Sequence, residues 1–172
     1  MVLEPNVTLL RAKATDMDVL QPAAPRPLIS ALRPLQDALA PLGEPLVRFA
    51  TGLFLMPHGA QKLFGWFGGQ GVDETGTFFV TVYSLPSSLA LIAGLVEFFA
   101  GMALALGLVT RLAAAMIVVL MAVAIIEVHW ASGFFWNQGG FEYPLMWAVL
   151  AFSFLLRGGG RYSLDRALGV EL

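Results

Sequence analysis

His58, Gln61 and Lys62 stand close together in the middle of an apolar stretch, residues 46–67, that reads LVRFATGLFLMPHGAQKLFGWF. Spacings of three and four residues put all three side chains on one face of a helix. An imidazole, an amide and an ammonium on one face can bind a polar headgroup, hold a carboxylate or pass a proton. Such groups are costly in hydrocarbon and are kept where they face a partner or a cavity. Pro57 adds to the pattern. It removes one backbone N–H, leaves the Leu53 carbonyl without its usual donor and favours a kink beside His58.

The remaining candidates are Glu97, Glu127, His129 and Glu142, each in or beside another apolar segment. At about 1.5 Å per residue, His58 lies roughly 18 Å along its helix from position 46, and Glu97 roughly 18 Å from position 85. On antiparallel neighbours the two reach the same depth. Gln61 and Lys62 lie one turn further on, towards the layer expected for Glu127, His129 and Glu142, and Lys62 is expected to pair with Glu97 or Glu142. This set suits a proton relay or a site for the polar head of a quinone-like amphiphile. It fits equally a structural Lys62–Glu97 pair that fixes helix register, with His58 satisfied by a carboxylate or the backbone.

Other chemistries fit less well. The Glu-x-x-His spacing of di-iron bundles is missing, and Glu127 and His129 diverge on a helix, so no metal is expected. Haem is disfavoured because His58 and His129 fall at different depths. With no cysteine in 172 residues, disulfides, iron–sulfur clusters and direct thiol exchange are excluded. Any electrons must travel on a bound cofactor or a partner.

The elements that must position these residues follow from composition. Hydrophobic residues make up 58% of the chain and charged ones 13%, with mean hydropathy +0.75; a soluble domain is nearer half and a quarter. The expected fold is all-α, a four-helix transmembrane bundle with spans at about 46–64, 85–106, 111–130 and 143–156. Ser84 and Pro86 read as a helix opening before the second span, Thr110 as N-cap of the third, and Pro144 as a first-turn residue of the fourth, which Gly158 to Gly160 stop. Residues 65–77, GWFGGQGVDETGT, read as a glycine-rich loop able to re-enter the membrane surface, and 131–141 as a loop whose aromatics suit the headgroup boundary. Gly94 and Gly101, seven residues apart, mark a face for close helix approach.

Nine of the ten basic residues fall on one side if both termini are cytoplasmic (N-in/C-in), with Lys62 the exception. Residues 1–45, broken by prolines, read as a cytoplasmic tail that is disordered or lies on the interface. No basic, aromatic-interleaved patch points to nucleic acid; the bilayer is the expected partner, in a multi-pass protein of the inner membrane, and a homo-oligomer is compatible with the pattern.

Four runs carry a family resemblance: RFATGLFLMPHGAQKLFGWFGGQG, GLVEFFAGMALALGLVTRLAA, VHWASGFFWNQGGFEYPLMW and GGGRYSLDRALG. In this order, across about residues 46–169, they resemble the DoxX family of bacterial membrane proteins. The resemblance implies a four-helix transmembrane bundle and places His58, Gln61, Lys62, Glu97, His129 and Glu142 at motif positions, without a catalytic mechanism attached. It also implies an association with terminal oxidase and thiosulfate:quinone oxidoreductase subunits, or with membrane partners of thiol- and superoxide-handling enzymes. The expected function is therefore a redox-associated membrane subunit that binds a quinone-like amphiphile and meets a soluble redox enzyme at the cytoplasmic face. Two other readings use the same residues. One is a non-catalytic scaffold that recruits oxidative-stress enzymes through its N-terminal tail, and the other is transport of a small solute or protons, against which the lack of an inverted repeat counts.

Overall fold

The computed structural model describes residues 28–170, which form helices and turns without strands. Contacts divide the chain after Ala38. Residues 1–27, more than half of the expected 1–45 tail, lie outside the described residues. In the described part of the first unit, a 3-10 turn at Ser30–Leu32 leads into α1 (Arg33–Leu39). Pro34 sits in the first turn of α1, where its missing N–H costs nothing. Arg33 and Asp37 pair at 3.8 Å across one turn, but both are exposed, so the pair contributes little.

The second unit carries the candidate residues. Its helices are α2 (Gly43–Phe64), α3 (Gly71–Tyr83), α4 (Ser88–Leu106), α5 (Thr110–Val123 with a π-helical continuation, Ala124–His129), α6 (Glu142–Arg157) and α7 (Leu164–Leu168). Among the described residues, three helical runs are long and apolar enough to cross a membrane: Ser30–Phe64, Ser88–Leu106 and Thr110–Ser132. The fourth expected span is α6, whose 16 residues are fewer than the roughly 20 a bilayer core requires. The outward faces are apolar, with Val119 at 64% and Ile126 at 65% exposure. In water such a surface would associate; the chain is an integral membrane protein.

Three expectations are corrected. Residues 71–77 belong to a helix instead of a loop, since α3 runs on to Tyr83. Gly71, Gly76 and the β-branched residues of GVDETGTFFVTVY are poor helix formers, and they hid it. Tertiary context overrides them. Asp73 and Glu74 complement the N-terminal dipole, and Gly76 admits Ser87, whose backbone oxygen would lie 3.2 Å from an added Cβ. Ser84 consequently closes α3, at φ 56°, instead of opening the next helix. Thr110 is likewise the first residue of α5 and caps nothing. The residue before it, Val109, takes φ 43°, and the Thr110 hydroxyl is used elsewhere.

Glycines set the α2–α4 distance. Gly52 and Gly59 of α2 share the seven-residue spacing of Gly101 and Gly94 on α4, and the two pairs face each other antiparallel. A Cβ at Gly59 would lie 2.5 Å from the Phe98 nitrogen and 2.8 Å from the Gly94 oxygen; one at Gly52 would strike the Gly101 carbonyl oxygen. Backbone cannot swing aside as a side-chain tip can. Gly59→Ala is therefore expected to force the helices apart. Alanine's propensity gain of up to about 1 kcal/mol is smaller than an overpacking cost of about 1–3 kcal/mol or more, so net destabilisation should appear in detergent unfolding curves. The core follows from the same closeness, with Leu55, Ala100, Leu104, Ala113, Ala114, Ile117, Ala151 and Phe154 all buried.

One end of the bundle is tied by buried polar groups. Arg48, 2% exposed, donates from Nη1 to the Leu104 carbonyl (3.2 Å) and from Nη2 to the Tyr162 carbonyl (2.6 Å). The Asp165 carboxylate accepts from the Val109 N–H (2.5 Å), the Thr110 N–H (2.9 Å) and the Thr110 hydroxyl (2.6 Å). The Asp165 N–H returns a bond to the Gly107 carbonyl at 2.9 Å. Burial alone would raise the Asp165 carboxyl, but these three donors and the Arg48 charge outweigh it and hold the group below its ordinary value. The C-terminal GGGRYSLDR run thus clasps the turn between α4 and α5.

Candidate functional site

The glycine contact brings Lys62 beside Glu97. Lys62 Nζ lies 2.7 Å from Glu97 Oε2, and the two side chains are 23% and 10% exposed. Of the two partners expected for Lys62, Glu97 is the one it meets. Lys62 also reaches the His58 carbonyl at 3.5 Å, one turn back on its own helix. α2 remains helical through Pro57.

The helix carrying Glu97 changes pitch there. Val96–Ala100 is a π-helical segment inside α4, and Ala124–His129 is a second one at the end of α5. Each widened turn rotates later residues relative to earlier ones and frees carbonyls from the regular ladder. Such turns concentrate at functional positions. Here one holds Glu97 and the other holds Glu127 and His129.

Two spaces meet at the ion pair. The first, about 290 Å³, is lined by His58, Lys62, Glu97, His129, Trp136 and Trp147 among others. The second is an apolar groove of about 620 Å³ between α3, α4 and α5, with Phe79, Tyr83, Ile92, Val119 and Val123 on its walls. Lys62, Glu97, Ala124 and His129 line both. A smaller chamber that holds His58 and a larger apolar groove therefore share one charged wall.

The candidates divide. His58, Lys62, Glu97 and His129 come together. His58 is exposed into the chamber, with its ring edge-on to Trp147 at 6.1 Å. His129 Nδ1 lies 2.7 Å from the Gly139 carbonyl, which orients the ring from the loop before α6. Gln61 lines neither space and donates to the Phe67 carbonyl at 3.3 Å. Glu142 accepts the Trp136 N–H at 3.1 Å, so it shapes the loop that carries one wall. Glu127 is exposed and borders neither space; a third residue of the same widened turn, His129, faces in while Glu127 faces out. Among the described residues, no three His, Asp or Glu side chains converge as metal ligands would.

The aromatic wall is absent from the sequence reading. Trp136 stacks on Tyr143 at 5.3 Å, Tyr143 meets Trp147 edge-on at 6.2 Å, and Trp147 Nε1 donates to the Thr51 carbonyl at 3.2 Å. The fourfold spacing of Tyr143 and Trp147 on one helix face was the available signal.

A family model, DoxX, matches residues 44–130. That is half of the chain. The chain belongs to the DoxX family. The DoxX match takes in His58, Lys62, Glu97 and His129, with both π-helical segments, and stops before Trp136, Tyr143 and Trp147. No curated protein and no solved structure matches the chain.

Proposed function

We propose that this DoxX protein is a four-span, N-in/C-in subunit of the bacterial inner membrane that binds a quinone-like amphiphile and serves a redox complex. One observation carries the reading: the Lys62–Glu97 pair is the shared wall of an aromatic-lined chamber that holds His58 and a larger apolar groove. A ligand with a carbonyl-bearing head and a prenyl tail matches that division. Its head would accept from Lys62 or His58 and stack against Trp136 or Trp147, while its tail lies along Tyr83, Ile92 and Val119. The family's association with quinone-linked oxidoreductase subunits supports the same class of ligand. α6 completes the bundle as a short fourth span whose ends, Glu142 and Arg157, reach the interfaces. Arg48, Arg157, Arg161 and Arg166, gathered at the clasped end, favour the cytoplasm for that end. His58, beside Lys62 on the chamber wall, is the residue type suited to pass a proton to a reduced head.

The test is binding in detergent or nanodiscs. A short-chain ubiquinone analogue is expected to quench tryptophan fluorescence saturably, because Trp136 and Trp147 line the chamber. His58→Ala should weaken that binding up to about tenfold, the loss expected for one hydrogen bond. Unchanged binding in both His58→Ala and Glu97→Gln would sink the assignment.

A further inference from the structure

A further cavity of about 370 Å³ opens at the clasped end of the bundle, lined by Arg157, Arg161, Arg166, Gly159, Gly160 and Asp165 among others. Three guanidinium groups surround it, and the carboxylates nearby leave them largely uncompensated. Both Asp165 oxygens already accept bonds from Val109 and Thr110. Glu44 pairs with Arg157 at 3.6 Å, and its charge is shared with Arg48. Arg161 and Arg166 have no ion-pair partner among the described residues, and Arg161 lies 5.6 Å over the Tyr162 ring.

The surroundings identify the depth. Arg157 is the last residue of α6, where that apolar helix ends. Around the basic cavity Leu156, Tyr162, Leu164 and Leu168 are all exposed. Apolar side chains beside unpaired arginines at a helix end match the boundary between acyl chains and phosphates, where each basic residue adds to the attraction for anionic lipid. The glycines keep the floor close: a Cβ at Gly159 would lie 2.7 Å from Thr110 Oγ1, and one at Gly160 would strike the Glu44 carboxylate.

We propose that this cavity binds the phosphate headgroup of an anionic phospholipid, with Arg161 and Arg166 as its principal contacts and the acyl chains against the exposed leucines. A soluble phosphate would use the charges but leave the apolar rim without a role. The site lies apart from the amphiphile chamber and does not depend on that reading.

The full chain, purified in neutral detergent and offered equal phosphatidylglycerol and phosphatidylcholine, is expected to retain phosphatidylglycerol preferentially in native mass spectrometry. Removing one arginine should lower that retention about fivefold, and Arg161→Gln with Arg166→Gln about thirtyfold. Phosphatidylcholine retention and the melting temperature in phosphatidylcholine should not move, because both side chains are exposed. Should the double variant fail to fold, the fivefold loss in Arg161→Gln alone decides. Equal retention of the two lipids by the wild-type chain, or full retention by the variant, would overturn the proposal. Complete displacement of phosphatidylglycerol by millimolar inorganic phosphate would assign the cavity to a soluble anion and overturn it as a lipid site.

Discussion

Glu97→Ala is expected to destabilise the fold by about 3 kcal/mol or more, because it strands Lys62 without its carboxylate in a half-buried position. The pair sits at 2.7 Å, and Glu97 is only 10% exposed. Lys62→Ala should cost a comparable amount for the mirror reason. The informative variant is the double substitution Lys62→Met with Glu97→Leu. Apolar residues of similar size remove both desolvation costs at once, and such exchanges are often neutral or stabilising. Equilibrium unfolding in detergent should place the double variant within about 1 kcal/mol of wild type, well above either single alanine variant. A pair whose net contribution is stabilising would instead leave the double variant several kcal/mol below wild type, about as weak as either single.

The second large effect concerns the clasp. Asp165→Ala removes three hydrogen bonds to an ionised acceptor, each contributing about 1.5 kcal/mol or more. It also releases Val109, whose φ of 43° is strained for a β-branched residue and persists only where the surroundings over-determine it. An expected loss of about 4.5 kcal/mol or more follows. The sign with pH is fixed by the lowered carboxyl. Its ionised form is the one the fold prefers, so the contribution is fully present above the ordinary carboxylate value of 3.8 and is lost as pH falls through the lower folded value. The melting temperature of the wild type should therefore be insensitive to this group near neutrality and fall below about pH 4. Asp165→Asn should start lower and lose most of that acid limb.

Much of this architecture is legible in the chain because membrane spans announce themselves by length and apolarity. The positions of α2, α4 and α5 follow from it, and so does a Lys62 partner on another helix. Three features are not legible, each for a physical reason. α3 is written in poor helix formers, so only its packing against Ser87 and the turn around it reveals it. The π-helical turns have no residue signature, and without them Glu127 and His129 seem equivalent on α5, although only His129 faces the chamber. Arg48 reads as a topology charge, since nine basic residues fall on one side. Its burial depends on carbonyls of Leu104 and Tyr162, far away in sequence. Gly52 and Gly59 could have been found, since they repeat the seven-residue spacing of Gly94 and Gly101 on a helix expected to lie antiparallel to theirs.

The chamber and groove are the part of the site that only three dimensions supply. Trp136, Tyr143 and Trp147 come from beyond the matched DoxX residues, and they close the wall opposite His58. A ligand that needs both the charged wall and the aromatic one would be sensitive to either.

The most direct measurement is equilibrium binding of a short-chain quinone to the Lys62→Met, Glu97→Leu double variant. If the ion pair is the polar end of a ligand site, the variant melts like the wild-type chain yet loses binding by at least about tenfold, corresponding to the lost charge-assisted contact from Lys62. Wild-type affinity in that stable variant would contradict the account and leave Lys62 and Glu97 as a structural pair.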